Sequence, residues 1–397
     1  SFPPFAATPT AVAWVDVDHD GDVDLVLAGS AGRPQLLRNN RDGSFTDVSA
    51  AARFDHAGDV VAIVPSDYDN HRDVDLLFAY RDAPPVLYAN QRDGGFRDVS
   101  ASTGLTSIVP AGSGVVAAGT GDINKDDAPD FIFATRRGVV AALSDGRGRF
   151  ASQPIAEIAG LVAVQVLDYD DDGLLDVVAW SSDGPHAWRN EGRSWRDVTS
   201  TAIVTAAAGA SVSASARGPI AASAVAAGDF DGDGHTDLAA LAADTAWLWR
   251  NSGDPGRHSL RIALRGLVSN KAGVGAKLQI RAASLSSRLE LSAASPAVAP
   301  ADVVFGLGER PAADVIRVLW PSGILQAEVV DSGGSSAPLV RPAPVVIEEL
   351  DRKPSSCPFL FTWNGERFEF VTDFLGGGEM GDWVAPGQFN APDPLEY

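Results

Sequence analysis

The chain has 397 residues, of which 45% are hydrophobic, and this is enough apolar material for a large core. It carries 52 acidic and 31 basic residues for a formal net charge of −21, which disfavours nucleic acid and anionic lipid as partners. Its single cysteine, Cys357, excludes an internal disulfide. No apolar run reaches the roughly eighteen residues of a membrane span, and the 40 glycines and 25 prolines indicate a turn-rich, all-β protein.

A nine-residue, aspartate-rich loop occurs five times, starting at residues 16, 67, 122, 168 and 229. Calcium takes about six to eight oxygen ligands, and carboxylates at positions 1, 3, 5 and 9 converge on an ion if the loop curls around it. Glycine at position 6 permits that curl. The predicted calcium ligands are Asp16, Asp18, Asp20, Asp22 and Asp24; Asp122, Asn124, Asp126 and Asp130; Asp168, Asp170, Asp172 and Asp176; and Asp229, Asp231, Asp233 and Asp237.

The five loops are unequal. In the third loop Asp127 replaces the glycine of position 6, so we expect weaker binding there. The second loop offers Asp67, Asp69 and Asp75 but has His71 and Arg72 at positions 5 and 6. We expect this loop to be a weak or empty metal site, with Arg72 supplying the positive charge. The alternative, that all five are plain aspartate-rich turns, is disfavoured by their repetition in register.

The loops recur at intervals of 51, 55, 46 and 61 residues, a period typical of a propeller blade. A strand-like run follows each loop, and most repeats then contain a strand that ends in asparagine and a short aromatic strand. About four short strands per repeat predict an all-β fold, a β-propeller with calcium-binding loops plus a small C-terminal antiparallel β-domain.

Residues 8–252 resemble the FG-GAP/VCBS repeats of integrin α-type propellers, on the strength of the five loops. The resemblance implies a calcium-binding propeller over residues 1–256, and such propellers usually have seven blades. Here five loop-bearing blades are counted. The remaining blades lie outside this chain, or an irregular stretch supplies one without a loop.

Residues 257–330 alternate apolar and polar side chains, which predicts a small antiparallel β-domain. The segment resembles an ASPIC/UnbV domain, as found after such repeats in cartilage-acidic-protein-like bacterial proteins. The matching runs are Gly273-Val-Gly275-Ala276, Phe305-Gly306-Leu-Gly308 and Trp320-Pro321-Ser322-Gly323. Residues 295–300 depart from the glycine-rich stretch expected before Phe305, so a family function carried by that stretch is in doubt here.

Two of the three remaining segments are candidates for contacts with a partner, and the third is a linker. The Ala/Ser-rich residues 201–226 read as an excursion between blades, or as a loop that docks on another protein. Residues 331–356 read as a linker. Residues 357–397 begin with an aromatic hairpin around Asn364-Gly365, which either packs on the preceding β-domain or exposes an apolar patch.

No catalytic residues are predicted, because the six histidines lack zinc-ligand spacing and no nucleophile elbow is present. We expect a non-enzymatic, calcium-binding scaffold that mediates protein–protein interaction, in its most specific form an extrinsic subunit of a membrane-bound complex. The alternative is a carbohydrate-binding module or a polysaccharide-acting enzyme that uses the propeller channel. Calcium loops of this kind work at extracellular calcium levels, which predicts a periplasmic or secreted protein. The chain begins at Ser1 without a signal-peptide pattern, so we expect a mature or partial chain.

Overall fold

The computed structural model describes residues 2–202, 207–208, 222–242, 245–254, 256–329, 344–350, 359–363, 368–373, 383–385 and 388–389. The chain divides into two compact units, Ser1–Glu349 and Leu350–Tyr397. Almost all regular structure is strand, arranged in antiparallel sheets that follow the repeats, so the predicted all-β propeller fold is confirmed.

The first three repeats each form a four-stranded antiparallel blade in which the strands pair in chain order. Blade 1 contains β1 (Pro9–Val15), β2 (Asp24–Gly29), β3 (Gln35–Asn39) and β4 (Phe45–Asp47). Blade 2 contains β5 (Val60–Ser66), β6 (Asp75–Tyr80), β7 (Val86–Asn90) and β8 (Phe96–Asp98). Blade 3 contains β9 (Val115–Gly121), β10 (Asp130–Thr135), β11 (Gly138–Ser144) and β12 (Phe150–Glu157).

The last two repeats form blades of the same size. Blade 4 contains β13 (Leu161–Leu167), β14 (Asp176–Ser181), β15 (Gly184–Asn190) and β16 (Trp195–Asp197). Blade 5 contains β17 (Ala207–Ala208), β18 (Ala224–Gly228), β19 (Asp237–Ala242) and β20 (Thr245–Trp249), and β17 pairs with β20 at the outer edge. Most of the Ala/Ser-rich stretch 201–226 lies outside the described residues. Single-turn helices occupy α1 (Ser49–Ala52), α2 (Ser100–Thr103), α3 (Leu105–Ile108) and α4 (Thr199–Ala202).

The blades pack face to face through separate apolar clusters, one between each consecutive pair. The innermost strand of each blade, which is the first strand in blades 1 to 4 and β18 in blade 5, contacts the innermost strand of the next blade. Every residue of β5 is buried, because its two faces pack against blades 1 and 3. Each aspartate loop joins the innermost strand of its blade to the strand beside it. The five loops therefore lie on one rim, here called the loop rim.

Two further sheets follow the blades and share one core, which surrounds the buried Trp320. We call residues 258–329 and 344–349 the two-sheet region. One sheet has the order β25 (Val303–Gly308), β21 (His258–Arg265), β28 (Val345–Glu348), and the other has the order β23 (Leu285–Glu290), β22 (Lys277–Ala282), β26 (Val315–Leu319), β27 (Leu325–Val329).

The predicted linker over residues 331–356 needs correction, because β28 lies inside it. Its Val-Val-Ile run suits a strand, and it pairs in parallel with β21. Ile347 is 2% exposed and belongs to the core of the two-sheet region. Residues 330–343 and 351–358 lie outside the described part of the chain.

Residues 293–302 leave the two-sheet region and run across the centre of the propeller; we call them the central strap. The strap begins with β24 (Ala293–Ser295), which pairs antiparallel with β1 and also contacts β5. Its later hydrogen bonds reach Thr120 N (3.2 Å from Val298 O), Gln165 Nε2 (2.7 Å from Ala297 O) and Ala227 O (2.8 Å from Ala301 N). The strap therefore touches the inner strands of all five blades.

The second unit contains the aromatic strands that the sequence predicted. β29 (Phe359–Trp363) and β30 (Phe368–Asp373) pair antiparallel, with Phe361 opposite Phe370 and Trp363 opposite Phe368. A second short pair is formed by β31 (Trp383–Ala385) and β32 (Gln388–Phe389). The Asn364-Gly365 turn lies outside the described residues.

Candidate metal centres on the loop rim

The first aspartate of each loop organises the backbone of its own loop. In the fourth loop Asp168 accepts hydrogen bonds from the backbone N–H groups of Asp172 (3.1 Å) and Gly173 (2.7 Å). The first three loops repeat this pattern from positions 5 and 6, and Asp229 accepts from Gly232 and Gly234. Position 1 is thus fixed with its carboxylate turned into the curl of the loop.

The last aspartate of each loop ties the first three strands of a blade together. Asp176 accepts hydrogen bonds from Tyr169 N (3.2 Å) and from Asn190 N at the end of β15 (2.7 Å). Asp24, Asp130 and Asp237 make the same pair of contacts in their own blades. In the second loop Asp75 keeps the contact with the third strand, accepting from Asn90 N (2.8 Å), which accounts for aspartate at position 9 there as well.

Carboxylates from positions 1, 3 and 9 converge in four of the five loops. One oxygen of each residue lies within 4.8 Å of the others in the sets Asp16, Asp18, Asp24; Asp67, Asp69, Asp75; Asp168, Asp170, Asp176; and Asp229, Asp231, Asp237. In the third loop Asn124 replaces the carboxylate of position 3, and its amide nitrogen lies 3.0 Å from Asp126 Oδ2. Three oxygens at this spacing could hold a metal ion and would supply part of its coordination shell.

The remaining predicted ligands point elsewhere in this structure. Position 5 accepts the backbone N–H of position 7, as between Asp172 and Leu174 (2.8 Å) and between Asp233 and His235 (3.1 Å). Asp20 and Asp22 of the first loop both contact the guanidinium of Arg41. The structure therefore brings positions 1, 3 and 9 together and leaves position 5 at the mouth of the loop.

Burial raises the pKa of many of these carboxyl groups. It raises the pKa of Asp16 and Asp122 to about 6, of Asp24 to about 7, and of Asp75 and Asp130 to about 8. The pKa values of Asp168 and Asp176 also lie well above the ordinary range, through burial first and neighbouring carboxylates second. Such groups are costly to ionise without a cation among them.

The donor set fits a hard metal ion, because buried oxygens are left over in it. Asp170 Oδ1 and Asp75 Oδ2 are buried and have no hydrogen-bond partner. Side-chain cations satisfy part of the remaining charge: Arg189 lies 2.8 Å from Asp170 and 2.7 Å from Asp172. In the fourth loop five aspartates face Arg189, Arg257 and His235, so negative charge is still in excess.

In the second loop the aspartate charges are more nearly balanced than the sequence suggested, and the balancing cation is not Arg72. Within the described residues, the basic side chain in salt-bridge contact with Asp67 is Lys277 of the two-sheet region, whereas Arg72 offers Asp67 its backbone N–H (2.8 Å). His71 Nδ1 lies 2.8 Å from Asp69 Oδ2. The expectation that Arg72 supplies the charge was wrong, because residues more than 200 positions apart in sequence meet at this loop.

An asparagine at the end of the third strand links neighbouring blades. Asn190 Nδ2 donates to Ile123 O in the preceding blade (2.7 Å) and to Leu175 O in its own (3.0 Å). Asn90 and Asn251 reach the preceding blades through Val17 O (2.9 Å) and Tyr169 O (2.6 Å). The repeated strand-ending asparagine was visible in the sequence, but its contact with the neighbouring blade was not.

The two-sheet region packs on the loop rim. His19 Nδ1 lies 3.2 Å from Pro321 O, Lys125 Nζ donates to Ser286 O (2.6 Å), and Arg261 lies 3.0 Å from Asp229. A Cβ at Gly306 would lie 2.0 Å from Asp168 Oδ2, so only glycine fits against the fourth loop there. This contact accounts for the first glycine of the Phe305-Gly306-Leu-Gly308 run.

In the described part of the chain, no helix is long and apolar enough to cross a membrane.

Comparison with known proteins supports the repeat assignment. Four overlapping segments, residues 16–77, 67–133, 122–179 and 168–240, match the FG-GAP-like repeat. Cartilage acidic protein 1 of Xenopus tropicalis is 27% identical over 277 residues, which is 65% of this chain and 41% of that protein. The chain therefore spans less than half the length of this relative.

Solved structures give weaker likenesses. An Agrocybe aegerita lectin that recognises non-reducing terminal N-acetylglucosamine has a TM-score of 0.39 and 17% identity, over 62% of this chain and 63% of its own. The V. cholerae biofilm matrix protein Bap1 has a TM-score of 0.38 and 10% identity, over 83% of this chain and 60% of its own. The repeat matches span residues 16–240, more than half of the chain, and the protein belongs to the FG-GAP-like repeat family, with similarity to cartilage acidic protein.

Proposed function

We propose that the protein is a non-enzymatic, calcium-binding scaffold that works outside the cytoplasm and holds other proteins. The family and the relative suggest an extracellular protein-interaction scaffold. The observation that supports calcium is the convergence of positions 1, 3 and 9 among buried carboxyl groups with raised pKa values. Calcium would neutralise these groups and stiffen the turn between the first two strands of each blade.

We propose full calcium sites in the first, fourth and fifth loops, a weaker site in the third, and a weak or empty site in the second. The ligands would be the aspartates of positions 1, 3 and 9, with position 5 turning inward when the ion binds. In the second loop Lys277 and His71 already contact Asp67 and Asp69, which disfavours a divalent ion.

Calcium titration of chelator-treated protein tests this proposal. Isothermal titration calorimetry and metal analysis of the dialysed protein should give three to four ions per chain, and chelation should lower the melting temperature. A chain that binds no calcium at extracellular concentrations, or that melts at the same temperature with and without chelator, would contradict it.

The non-enzymatic part of the proposal draws support from the centre of the propeller. The central strap lies against the inner strands of all five blades, where a channel-binding substrate would have to enter. A cavity of about 320 Å³ beside blades 1 and 2 contains two carboxylates outside the predicted ligand set, Glu290 and Asp73. Glu290 contacts Ser66 and Arg288, and Asp73 contacts His19 and Arg92. Both carboxylates are therefore already engaged by protein side chains, which disfavours a role as general acid or base.

For the domains, we propose a propeller over residues 1–256 and an ASPIC/UnbV-like β-domain over residues 257–330 that also includes β28. Residues 331–356 would link this domain to residues 357–397, which contain the aromatic strands of the second unit. Limited proteolysis followed by mass spectrometry should cut first in the Pro/Ser/Gly-rich stretch that precedes β28 and leave residues 1–329 intact. Early cutting at residues 254–258 would contradict the tight packing of the two-sheet region on the loop rim.

We propose that the partner is another protein. More specifically, we propose a membrane-bound assembly to which this chain attaches from the periplasmic or outer side. Membranes from the native source, washed in calcium-containing buffer, should retain the protein and release it in high salt or chelator. Recovery of the whole pool in the soluble fraction, as a monomer by native mass spectrometry, would contradict the attachment.

A further inference from the structure

A cleft of about 290 Å³ lies between the second and third metal loops and the sheet that contains β22 and β26. Its walls carry four basic side chains, Arg72, Lys277, Arg288 and Arg317, and a single acidic one, Asp127. We call it the basic cleft. The chain has a net charge of −21, so four cations in one cleft stand out from the rest of its surface. None of the predicted calcium ligands lines this cleft.

The cations at the back of the cleft are held in place. Arg288 is 13% exposed, and its guanidinium donates to the backbone carbonyl of Asp127 and to Asn70 Oδ1 (2.7 Å). Lys277 is 12% exposed and pairs with Asp67 behind the cleft. These contacts fix the wall and neutralise part of its charge without filling the cleft.

The cations at the mouth of the cleft have guanidinium N–H groups available to a ligand. Arg72 and Arg317 are exposed, and in the described part of the chain neither has a carboxylate within salt-bridge distance. Arg317 Nη1 makes a long contact with Gln279 Oε1 (3.4 Å). The acidic residue of the wall, Asp127, is turned to Gln279 Nε2 (3.3 Å). Arg72 and Arg317 therefore line the opening of the cleft without a carboxylate partner among the described residues.

We propose that the basic cleft binds the oxyanion group of a small sulfate or phosphate monoester. Guanidinium groups bind such oxyanions through paired hydrogen bonds, and the amides of Asn70 and Gln279 add polar groups beside them. Leu319 and Leu325 line the same cleft, and Leu325 is 54% exposed, so they offer an apolar floor to the carbon body of an ester. The cations attract one oxyanion at short range, whereas the further charges of a polyanion would come within the roughly 10 Å over which the surrounding acidic surface repels them.

Isothermal titration calorimetry with glucose 6-sulfate and glucose 6-phosphate tests the cleft, with glucose as the uncharged control. We expect both esters to bind and glucose not to bind. Arg317→Gln and Arg72→Asn should each weaken ester binding about tenfold, since each removes one charged fork. Asn suits position 72 because its backbone is left-handed there (φ 73°).

The matched control is Arg193→Gln, which makes the same charge change at an exposed site away from the cleft. It should bind the esters as the unmodified chain does, and melting temperatures of all three variants report folding. Inorganic sulfate and phosphate form a further arm: tighter binding of the esters assigns the organic ester as the ligand, and equal binding assigns the free ion. Absence of ester binding at millimolar concentrations, or equal loss in the Arg193→Gln control, would overturn the proposal.

Discussion

At the scale of single residues, the aspartates of one loop divide their work. Position 9 holds the blade together through backbone hydrogen bonds, whereas Asp18, at position 3 of the first loop, contributes an oxygen to the converging set and makes no hydrogen bond or ion pair within the described residues. Asp18 is exposed, while Asp24 of the same loop is 1% exposed. Metal binding and folding can therefore be separated by the choice of residue.

Asp18→Asn should lower calcium affinity at the first loop by about tenfold, because it removes one charged ligand. Its effect on the calcium-free protein should stay within about 0.5 kcal/mol, since Asp18 is exposed. Calcium titration by calorimetry and unfolding in chelator measure the two effects. Asp55→Asn, an exposed carboxylate outside the loops, is the control, and an equal loss of calcium affinity in both variants would contradict the assignment.

The raised carboxyl pKa values predict how pH affects stability. The pKa of Asp24 is about 7 and those of Asp75 and Asp130 are about 8, so the folded chain keeps protons that the unfolded chain loses near its ordinary value of 3.8. The calcium-free protein should therefore lose stability as pH rises from about 4 to 8.

Calcium should remove much of this loss, because it replaces the protons on the same oxygens. The measurement is the melting temperature against pH, with calcium and with chelator. The two curves should diverge as pH rises, and parallel curves over this range would show that the buried carboxyl groups are not the calcium ligands.

At the scale of the element, neighbouring blades depend on hydrogen bonds as well as on apolar contact. The strand-ending asparagines of blades 2, 4 and 5 donate to the backbone carbonyl of the second loop residue in the preceding blade. Blade 3 ends its third strand with Ser144, whose N–H still binds Asp130 but whose side chain is too short to bridge in this way. The interface between blades 2 and 3 relies instead on the aromatic contact of Tyr68 with Phe150 (ring centroids 6.3 Å) and on the apolar cluster around it.

Asn190→Ala should destabilise the first unit by about 1–3 kcal/mol, because it leaves the buried carbonyls of Ile123 and Leu175 without their donor. Asn39→Ala is the matched control, since the amide of Asn39 donates to Val23 O in its own blade (3.2 Å) and Asn39 is less buried. Denaturant unfolding compares the two. A larger loss for Asn39→Ala would argue against the link between blades.

The sequence predicted the elements better than their contacts. The loops, their period and the four strands per repeat follow from patterns that recur every 46 to 61 residues, so five blades could be counted. Lys277 and Asp67, or Val298 and Thr120, are brought together by the fold across the chain, and no local pattern signals such pairs. Residues 295–300 looked like a departure from a family motif, and the structure places them in the central strap.

At the scale of the whole molecule, the central strap makes the propeller and the two-sheet region one cooperative unit. Val298 of the strap is 1% exposed and belongs to the apolar cluster between blades 2 and 3. Its carbonyl accepts from Thr120 (3.2 Å). A destabilising substitution in the strap should therefore also destabilise the blades.

Val298→Asp should destabilise the first unit by about 3 kcal/mol or more, because it buries an unpaired charge. Val162→Asp is the control, since Val162 on β13 is 44% exposed. Denaturant unfolding followed by tryptophan fluorescence should show one transition that shifts as a whole for Val298→Asp. Loss confined to the two-sheet region, with the blades unfolding as before, would contradict a shared unit.

The pairing of β24 with β1 also bears on how the chain is made. Residues 12–14 find their partners at residues 293–295, so the edge of the first blade stays unpaired until that part of the chain has left the ribosome. Pairings of such long sequence separation form slowly, and an open strand edge invites association with other chains. Blades 1 to 5 are therefore translated before the edge of blade 1 can pair, and in that interval the nascent chain is most prone to associate with other chains.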